Sequence, residues 1–248
     1  EGNGILQLKP GTRQQVQFTT WDIKKNTSSL QFELIVEPGV TTKTAFFTSQ
    51  EFYFPDETID ISANGFTIRM LECSLYEPLK KSEIDLSKMR FGNPDTPVEQ
   101  AFTVEISSNS ITLPSEKYYI QVQTGGGKRK VLKTNYSEGK FSAQSKFTGV
   151  FSLQVDSIPP IIKPSNFTIG QIIGSKQQLT WKVLEKETDL VDYDLYIDGE
   201  WQLLEYEYKG DYLIYKPRKN YSGTKELIIT AKDSCGNSTR WTNMVTFH

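Results

Sequence analysis

The sequence is nearly without histidine. Its one imidazole, His248, is the last of 248 residues. A Ser-His-Asp or Cys-His nucleophile system needs an internal imidazole held by neighbouring groups, and catalytic zinc usually takes His ligands. No catalytic residue, metal ligand or cofactor is therefore assigned. Cysteine is also scarce. Cys73 and Cys235 are too few and too far apart for a dense disulfide framework. One bridge between them is open, but both are expected to be reduced, semi-buried and in separate domains. No apolar run approaches the roughly 18 residues of a membrane span. No secretory signal opens the chain, and Glu1-Gly2-Asn3-Gly4 reads as the start of a cut or processed piece.

Excess positive charge is missing too. A net charge of -2 and a pI near 5.7 remove the phosphate-neutralising surface that nucleic-acid binding relies on. The basic run Lys128-Arg129-Lys130 follows Gly125-Gly126-Gly127 and reads as a solvated hairpin tip. It is not a phosphate loop, because Arg129 stands where the magnesium-binding hydroxyl belongs.

What is present is the β-strand period. Helical periodicity is nearly absent, and alternating segments bounded by Gly, Pro, Asn and Asp recur. Val16, Phe18 and Thr20 share one face, as do Leu30, Phe32 and Leu34 in the next strand, with Asp22-Ile23-Lys24-Lys25-Asn26 as the turn between. Near the other end Leu227, Ile229 and Ala231 alternate into Asp233-Ser234-Cys235-Gly236-Asn237, and a strand with Trp241, Val245 and Phe247 follows. Each end thus carries an Asp-x-x-x-Asn turn between two alternating strands, with a Lys-Pro turn upstream (Lys9-Pro10-Gly11 and Lys216-Pro217-Arg218). Asp and Asn suit such turns because their side chains bond the local backbone. The first copy, ending at Glu37-Pro38-Gly39, is expected to be the back half of a sandwich.

Between them, Phe52, Phe54, Ile59, Ile61, Phe66 and Ile68 are core candidates, and Tyr118 to Val122 is expected to pair with Val131 and Leu132 across the glycines. Pro78 and Pro94 confine residues 82–89 to a helical turn or two. Val150, Phe151, Leu153 and Val155 run into Asp156-Ser157-Ile158-Pro159-Pro160, where prolines end any ladder. This stretch reads as a seam between domains. Beyond it, Asp198-Gly199 marks a type I′ hairpin, with a returning strand over 201–208.

Two clusters are functional candidates. Glu185, Glu187, Asp189, Asp192, Asp194 and Asp198 form an acidic run that reads as a solvated face. Calcium coordination or carboxylate catalysis are the alternatives. Aromatics crowd the C-terminal part, and Trp201, Tyr206, Tyr208 and Tyr212 are the candidate ligand-binding residues if they form an exposed row. The other reading is that such rings fill a sandwich core.

One resemblance carries further. The series Asp156-Ser157-Ile158-Pro159-Pro160-Ile161-Ile162-Lys163-Pro164, Tyr196-Ile197-Asp198-Gly199-Glu200-Trp201, Leu213-Ile214-Tyr215 and Asp233-Ser234-Cys235-Gly236-Asn237 resembles the non-catalytic C-terminal β-domains of lysostaphin-type zinc peptidases of Gram-negative bacteria, which cleave cell-wall cross-links. Residues 51–76 and 136–155 are similar to the β-domain preceding the last sandwich there. The family's zinc site uses a His and Asp pair plus a His-x-His motif, and no position here supplies them. Thr188-Asp189-Leu190 also replaces the family's Ser-Gly-Ile step.

The expectation is an all-β chain of tandem β-sandwich domains, the last immunoglobulin-like. It comprises a partial immunoglobulin-like segment over 1–40, a middle β-domain over 41–157 and a C-terminal sandwich over 158–248. The resemblance implies a non-catalytic accessory region of an exported peptidoglycan metallopeptidase, in the periplasm or at the cell surface. Its partners would be the parent peptidase domain or a cell-wall glycan. A carbohydrate-binding or adhesion module is the alternative.

Overall fold

The computed structural model describes residues 9, 11–36, 50–94, 96–108 and 110–248. The chain divides into two units, Glu1–Gln50 and Glu51–His248. In the first, strands Arg13–Trp21 and Thr27–Ile35 form an antiparallel hairpin, with Val16 opposite Phe32 and Phe18 opposite Leu30. The alternation puts these four on one face, where Phe18 stacks on Phe32 with centroids 5.9 Å apart. The expected Lys9-Pro10-Gly11 turn involves Pro10, which lies outside the described residues, as do Glu1-Gly2-Asn3-Gly4 and Glu37-Pro38-Gly39.

The second unit contains two separate cores. The first lies between two antiparallel sheets. One runs, in spatial order, Thr134–Ser137, Lys140–Ser145, Phe102–Ser107, Phe66–Met70 and Ile59–Ala63. The other runs Arg129–Leu132, Tyr118–Gln123, Gly149–Val155 and Arg90–Phe91. Period two explains the packing: Phe102, Val104 and Ile106 are buried while Thr103 and Glu105 are not. Ile59, Phe66 and Ile68 join the core as expected, with Ile61 packed against it. Phe52 and Phe54 are only half-buried, because Phe52–Tyr53 makes a two-residue ladder with Leu79–Lys80 outside both sheets. Their places are taken by Phe91, Phe102, Phe141 and Phe151. In Gly149–Val155 Phe151 is buried and Leu153 packs partly buried against the core, while Val150 and Val155 are exposed. The hairpin across the glycines forms in the expected register, Leu132 opposite Ile120. Residues 82–89 contribute two single 3-10 turns, Lys81–Glu83 and Leu86–Lys88.

The second core lies between the sheet Ile161–Pro164, Leu179–Leu184, Tyr212–Tyr215, Glu205–Glu207 and the sheet Ile172–Ile173, Ser238–Phe247, Gly223–Asp233, Leu190–Ile197, Glu200–Gln202. Ile172–Ile173 runs parallel to Ser238–Phe247; the other pairings are antiparallel. This is the strand order of an immunoglobulin-like sandwich, with the first strand divided between both sheets. Trp181, fully buried, lies between Phe167 and Trp241. The chain is thus an all-β protein.

Asp198 and Gly199 have φ of 49° and 80°, the left-handed pair that a type I′ turn demands. The returning strand is shorter than expected. Glu200–Gln202 stays in its sheet, and Glu205–Glu207 has crossed to the other. The adjacent Leu203 and Leu204 shift the apolar sequence period by one residue at the crossing, the first exposed and the second buried.

Two glycines separate backbone freedom from close approach. Gly149 has φ of 140°, and a Cβ there would lie 2.2 Å from the Gln123 carbonyl oxygen; at Gly139, φ of 78°, a Cβ would meet nothing within 4 Å. Gly149→Ala is expected to lower unfolding free energy by about 2–3 kcal/mol. Gly139→Ala should cost about 1 kcal/mol, for left-handed backbone alone. Urea denaturation checks the order; equal losses would contradict it.

Candidate functional site

The Asp-x-x-x-Asn turns are one device used twice. In the first copy Asp22 Oδ1 accepts from the Asn26 amide at 2.9 Å and Asp22 Oδ2 from Asn26 Nδ2 at 2.8 Å. In the second, Asp233 Oδ1 accepts from the Asn237 amide at 2.8 Å and Oδ2 from Asn237 Nδ2 at 2.7 Å. The residue before each Asn, Lys25 or Gly236, has positive φ. The bond from the Asn26 side chain, with backbone donors, holds the Asp22 carboxyl below the usual carboxylate range. The copies differ in surroundings. Residues 22–26 are exposed, whereas Asp233, Cys235 and Asn237 are buried.

What buries the second copy is the seam. Asp156 follows strand Gly149–Val155 and is itself buried. Its amide donates to the Lys117 carbonyl at 2.8 Å, and its carbonyl accepts from Asn237 Nδ2 at 3.1 Å. Its carboxylate accepts from Thr188 Oγ1 at 2.7 Å and from the Ile158 amide at 3.0 Å. Lys117, from the middle sandwich, donates from Nζ to Asn237 Oδ1 at 2.6 Å and to the Cys235 carbonyl at 3.2 Å. Thr239 Oγ1 donates to the Pro160 carbonyl. The turn, the seam and Lys117 therefore form one latch between the sandwiches.

Carboxylate oxygens of Asp156, Glu185 and Asp233 converge here within 4.8 Å of one another. They are hard oxygen donors of the type calcium takes, and they are the residues that could hold a cation. Only Glu185 comes from the acidic run. Glu185 Oε1 already accepts from the amides of Lys186, Glu187 and Thr188, and the other two carboxylates have the partners given above. Asp192, Asp194 and Asp198 lie apart from the seam, on the strand and hairpin tip of 190–199.

Neither cysteine is semi-buried as expected. Cys73 is exposed, Cys235 is buried, and both are free. Burial, with the charges of Asp156 and Asp233, pushes the Cys235 thiol up to about 12. It stays protonated and is a poor nucleophile near neutrality. His248 follows the last strand, exposed, its backbone paired with Ile173 and Ser175.

Beside the latch is a groove of about 670 Å³ between the sandwiches. Its floor is formed by the buried Tyr118, Tyr119, Leu132, Phe141 and Cys235. Tyr136 and Val131 wall it on the middle-sandwich side, and Val191 on the other. Tyr136 is 42% exposed, its ring resting on Phe141 with centroids 4.7 Å apart. The rim carries Ser115, Glu116, Lys133, Asn135, Asp189 and Ser234. Burial, then Glu187 and Asp156, pushes the Tyr119 phenol up to about 12.

The four aromatics singled out in the sequence do not form one row. Trp201 is 57% exposed on the five-stranded sheet, its Nε1 donating to Asp194 Oδ1 at 2.7 Å. It lies opposite Tyr196 and borders a cavity of about 350 Å³ with Gln202, Glu205 and Lys216. Tyr206 belongs to the other sheet, half-buried against Tyr193 at 5.7 Å. Tyr212 lies beneath the Lys182 ammonium, and Tyr208 is exposed in the turn between them. Crossing between sheets at 203–204 is what separates them. The groove residues, by contrast, carry no signal in the sequence, since they come from four distant stretches.

These features define a latched pair of β-sandwiches with a groove at their junction. The chain matches no family model and no curated protein. Among solved structures, the fibronectin(III)-like modules of Clostridium thermocellum CbhA are similar over 60% of this chain and 85% of that one, at 13% identity and a TM-score of 0.30. The Bacteroides ovatus mixed-linkage glucan utilization locus protein SGBP-B, solved with a mixed-linkage heptasaccharide, is similar over 97% of this chain at 11% identity and a TM-score of 0.20. This chain spans 54% of that one's length. Neither likeness is high enough to bear on ligand or partner.

Lys117→Met should lower stability by about 1–3 kcal/mol, since it leaves Asn237 Oδ1 and the Cys235 carbonyl without their donor. A loss below 0.5 kcal/mol, an order-of-magnitude surface value, would show that the latch is not under load. In native protein Ellman's reagent should titrate Cys73 alone, and Cys235 only after unfolding. Cys235 and Tyr119, together with Tyr206 and Tyr215, whose phenols burial also raises, contribute to the alkaline limit. Their neutral forms are favoured by folding, so that stability is intact below the unfolded values of 9.0 and 10.0 and is lost as pH climbs towards about 12. Thermal melts that hold steady through pH 11 would contradict this.

Proposed function

We propose that this chain is a non-catalytic accessory module of the bacterial cell envelope, which positions a cell-wall metallopeptidase against peptidoglycan through surface contacts. The observation that carries the reading is the latch. A positioning module must hold its sandwiches in fixed relation, and within residues 51–248 Lys117, Asp156 and Asn237 bind one sandwich to the other by charge-assisted and buried bonds. The catalytic group would belong to the partner, because the one imidazole here is exposed at residue 248 and the buried thiol is held protonated. Work on peptidoglycan places the chain outside the cytoplasm, in the periplasm or at the cell surface. Among the described residues no helix is long and apolar enough to cross a membrane.

A second reading is a carbohydrate-binding or adhesion module. Trp201 favours it, since the bond to Asp194 fixes an exposed indole beside Tyr196 on an open sheet, as sugar stacking requires.

Co-sedimentation with purified Gram-negative sacculi tests the first reading. The protein should pellet with the sacculi and release no soluble fragments by itself. Release without an added peptidase, or retention in the supernatant, would overturn it. Loss of pelleting in Trp201→Ala alone would favour the second.

A further inference from the structure

The junction groove has the attributes of a ligand site. Its volume of about 670 Å³ lies within the range of small-molecule pockets, and its build, an apolar floor under a few polar groups, is theirs too. Six rim side chains (Ser115, Glu116, Lys133, Asn135, Asp189 and Ser234) make no hydrogen bond or ion pair among the described residues. They come from both sandwiches, so a molecule seated between them would be gripped from two sides.

The lining also says what kind of molecule. Tyr136 presents an exposed ring backed by Phe141, and its phenol likewise has no hydrogen-bond partner among the described residues. A pyranose offers such a ring an apolar face of C–H bonds, with hydroxyls around its edge for donors and acceptors. The rim charges, Glu116 and Asp189 against Lys133, leave a balance of one negative charge. That selects against an anionic ligand and gives no cluster to seize a cation. Serine and asparagine supply the neutral hydrogen-bonding groups a sugar needs.

We propose that the groove between the sandwiches binds a neutral oligosaccharide of about two rings, stacked on Tyr136 and held by Asn135, Lys133, Asp189 and Ser234. The proposal rests on the envelope reading above and names the chemistry the module would grip there: the glycan strand, not its peptide stem. The latch serves as its frame, because Lys117 and Asn237 set the spacing between the Tyr136 and Val191 walls.

The test is titration of the whole protein with N,N′-diacetylchitobiose, followed by isothermal calorimetry and by amide shifts in 15N-labelled protein. Shifts are expected at Val131, Tyr136 and Val191. Tyr136→Ala, at a half-exposed strand position, should weaken binding about tenfold and lower the melting temperature only modestly, by uncovering Phe141. Val191→Glu, in the opposite wall, should weaken it comparably, and Trp201→Ala should leave it unchanged. Shifts confined to Tyr196 and Trp201, or insensitivity to both groove variants, would overturn the proposal. So would groove shifts produced only by a stem tripeptide. The sacculus assay separates the two failures: pelleting that survives Tyr136→Ala removes the groove but leaves the envelope reading, whereas wild-type protein that never pellets removes that reading.

Discussion

Everything at the junction depends on burying Asp156 without leaving any of its polar groups unpaired. An unpartnered carbonyl or carboxylate in a desolvated seam costs kilocalories, so the surrounding chain is constrained to supply donors. Asn237 satisfies the carbonyl, Thr188 and the Ile158 amide satisfy the carboxylate, and the Lys117 carbonyl takes the amide proton. Each of these partners comes from a different segment. Strand Gly149–Val155 and strand Ile161–Pro164 are thereby held in one arrangement about a five-residue link rich in proline, which itself offers few hydrogen-bond donors. The groove follows from this constraint together with the Lys117 bonds to Asn237 and Cys235, which fix the separation of its two walls.

The two Asp-x-x-x-Asn turns show how one local motif acquires different work. Locally they are the same: two bonds from Asn to the Asp carboxylate and a left-handed residue before the Asn. At 22–26 the motif closes an exposed hairpin. At 233–237 the same Asn, its second amide hydrogen already aligned, reaches the Asp156 carbonyl, and its Oδ1 receives a lysine. Pre-ordering of the Asn by its own turn lowers the entropy lost on making these contacts. Small differences at the tip follow. Gly236 takes the left-handed position that Lys25 fills in the first turn; it is exposed, and a Cβ there would meet only Lys232 Cε at 3.8 Å, so its φ of 75° and not packing accounts for the glycine.

Local physics was legible in the sequence wherever one residue type has one reason to be there. The alternation of Leu227, Ile229 and Ala231, all buried, the paired positive φ at Asp198 and Gly199, and the turn residues of both Asp-x-x-x-Asn motifs are of this kind. What was hidden depends on strands choosing sheets. Nothing in the period distinguishes a strand that returns from one that crosses; only the consecutive Leu203 and Leu204 mark the crossing, and adjacent leucines occur in many settings. That one event scattered Trp201, Tyr206, Tyr208 and Tyr212 over two sheets and a turn. Phe52 and Phe54 misled for a related reason: they alternate like core residues, but Phe52 belongs to a two-residue ladder at the margin and Phe54 follows it.

The groove was invisible for a stronger reason. Tyr136 shares a face with Phe141 because their strands pair at that register, while Val191 arrives on a strand 55 positions further along by residue number. No window contains both. Nor would composition betray them, since an aromatic on a floor and an aromatic in a core are the same letter. The distinguishing fact is solvation: Phe141 is fully buried and Tyr136 is 42% exposed directly above it. A ring whose underside is packed and whose upper face meets water has lost its mobility without losing its surface. Such a ring can take a flat apolar partner at little further cost in side-chain entropy.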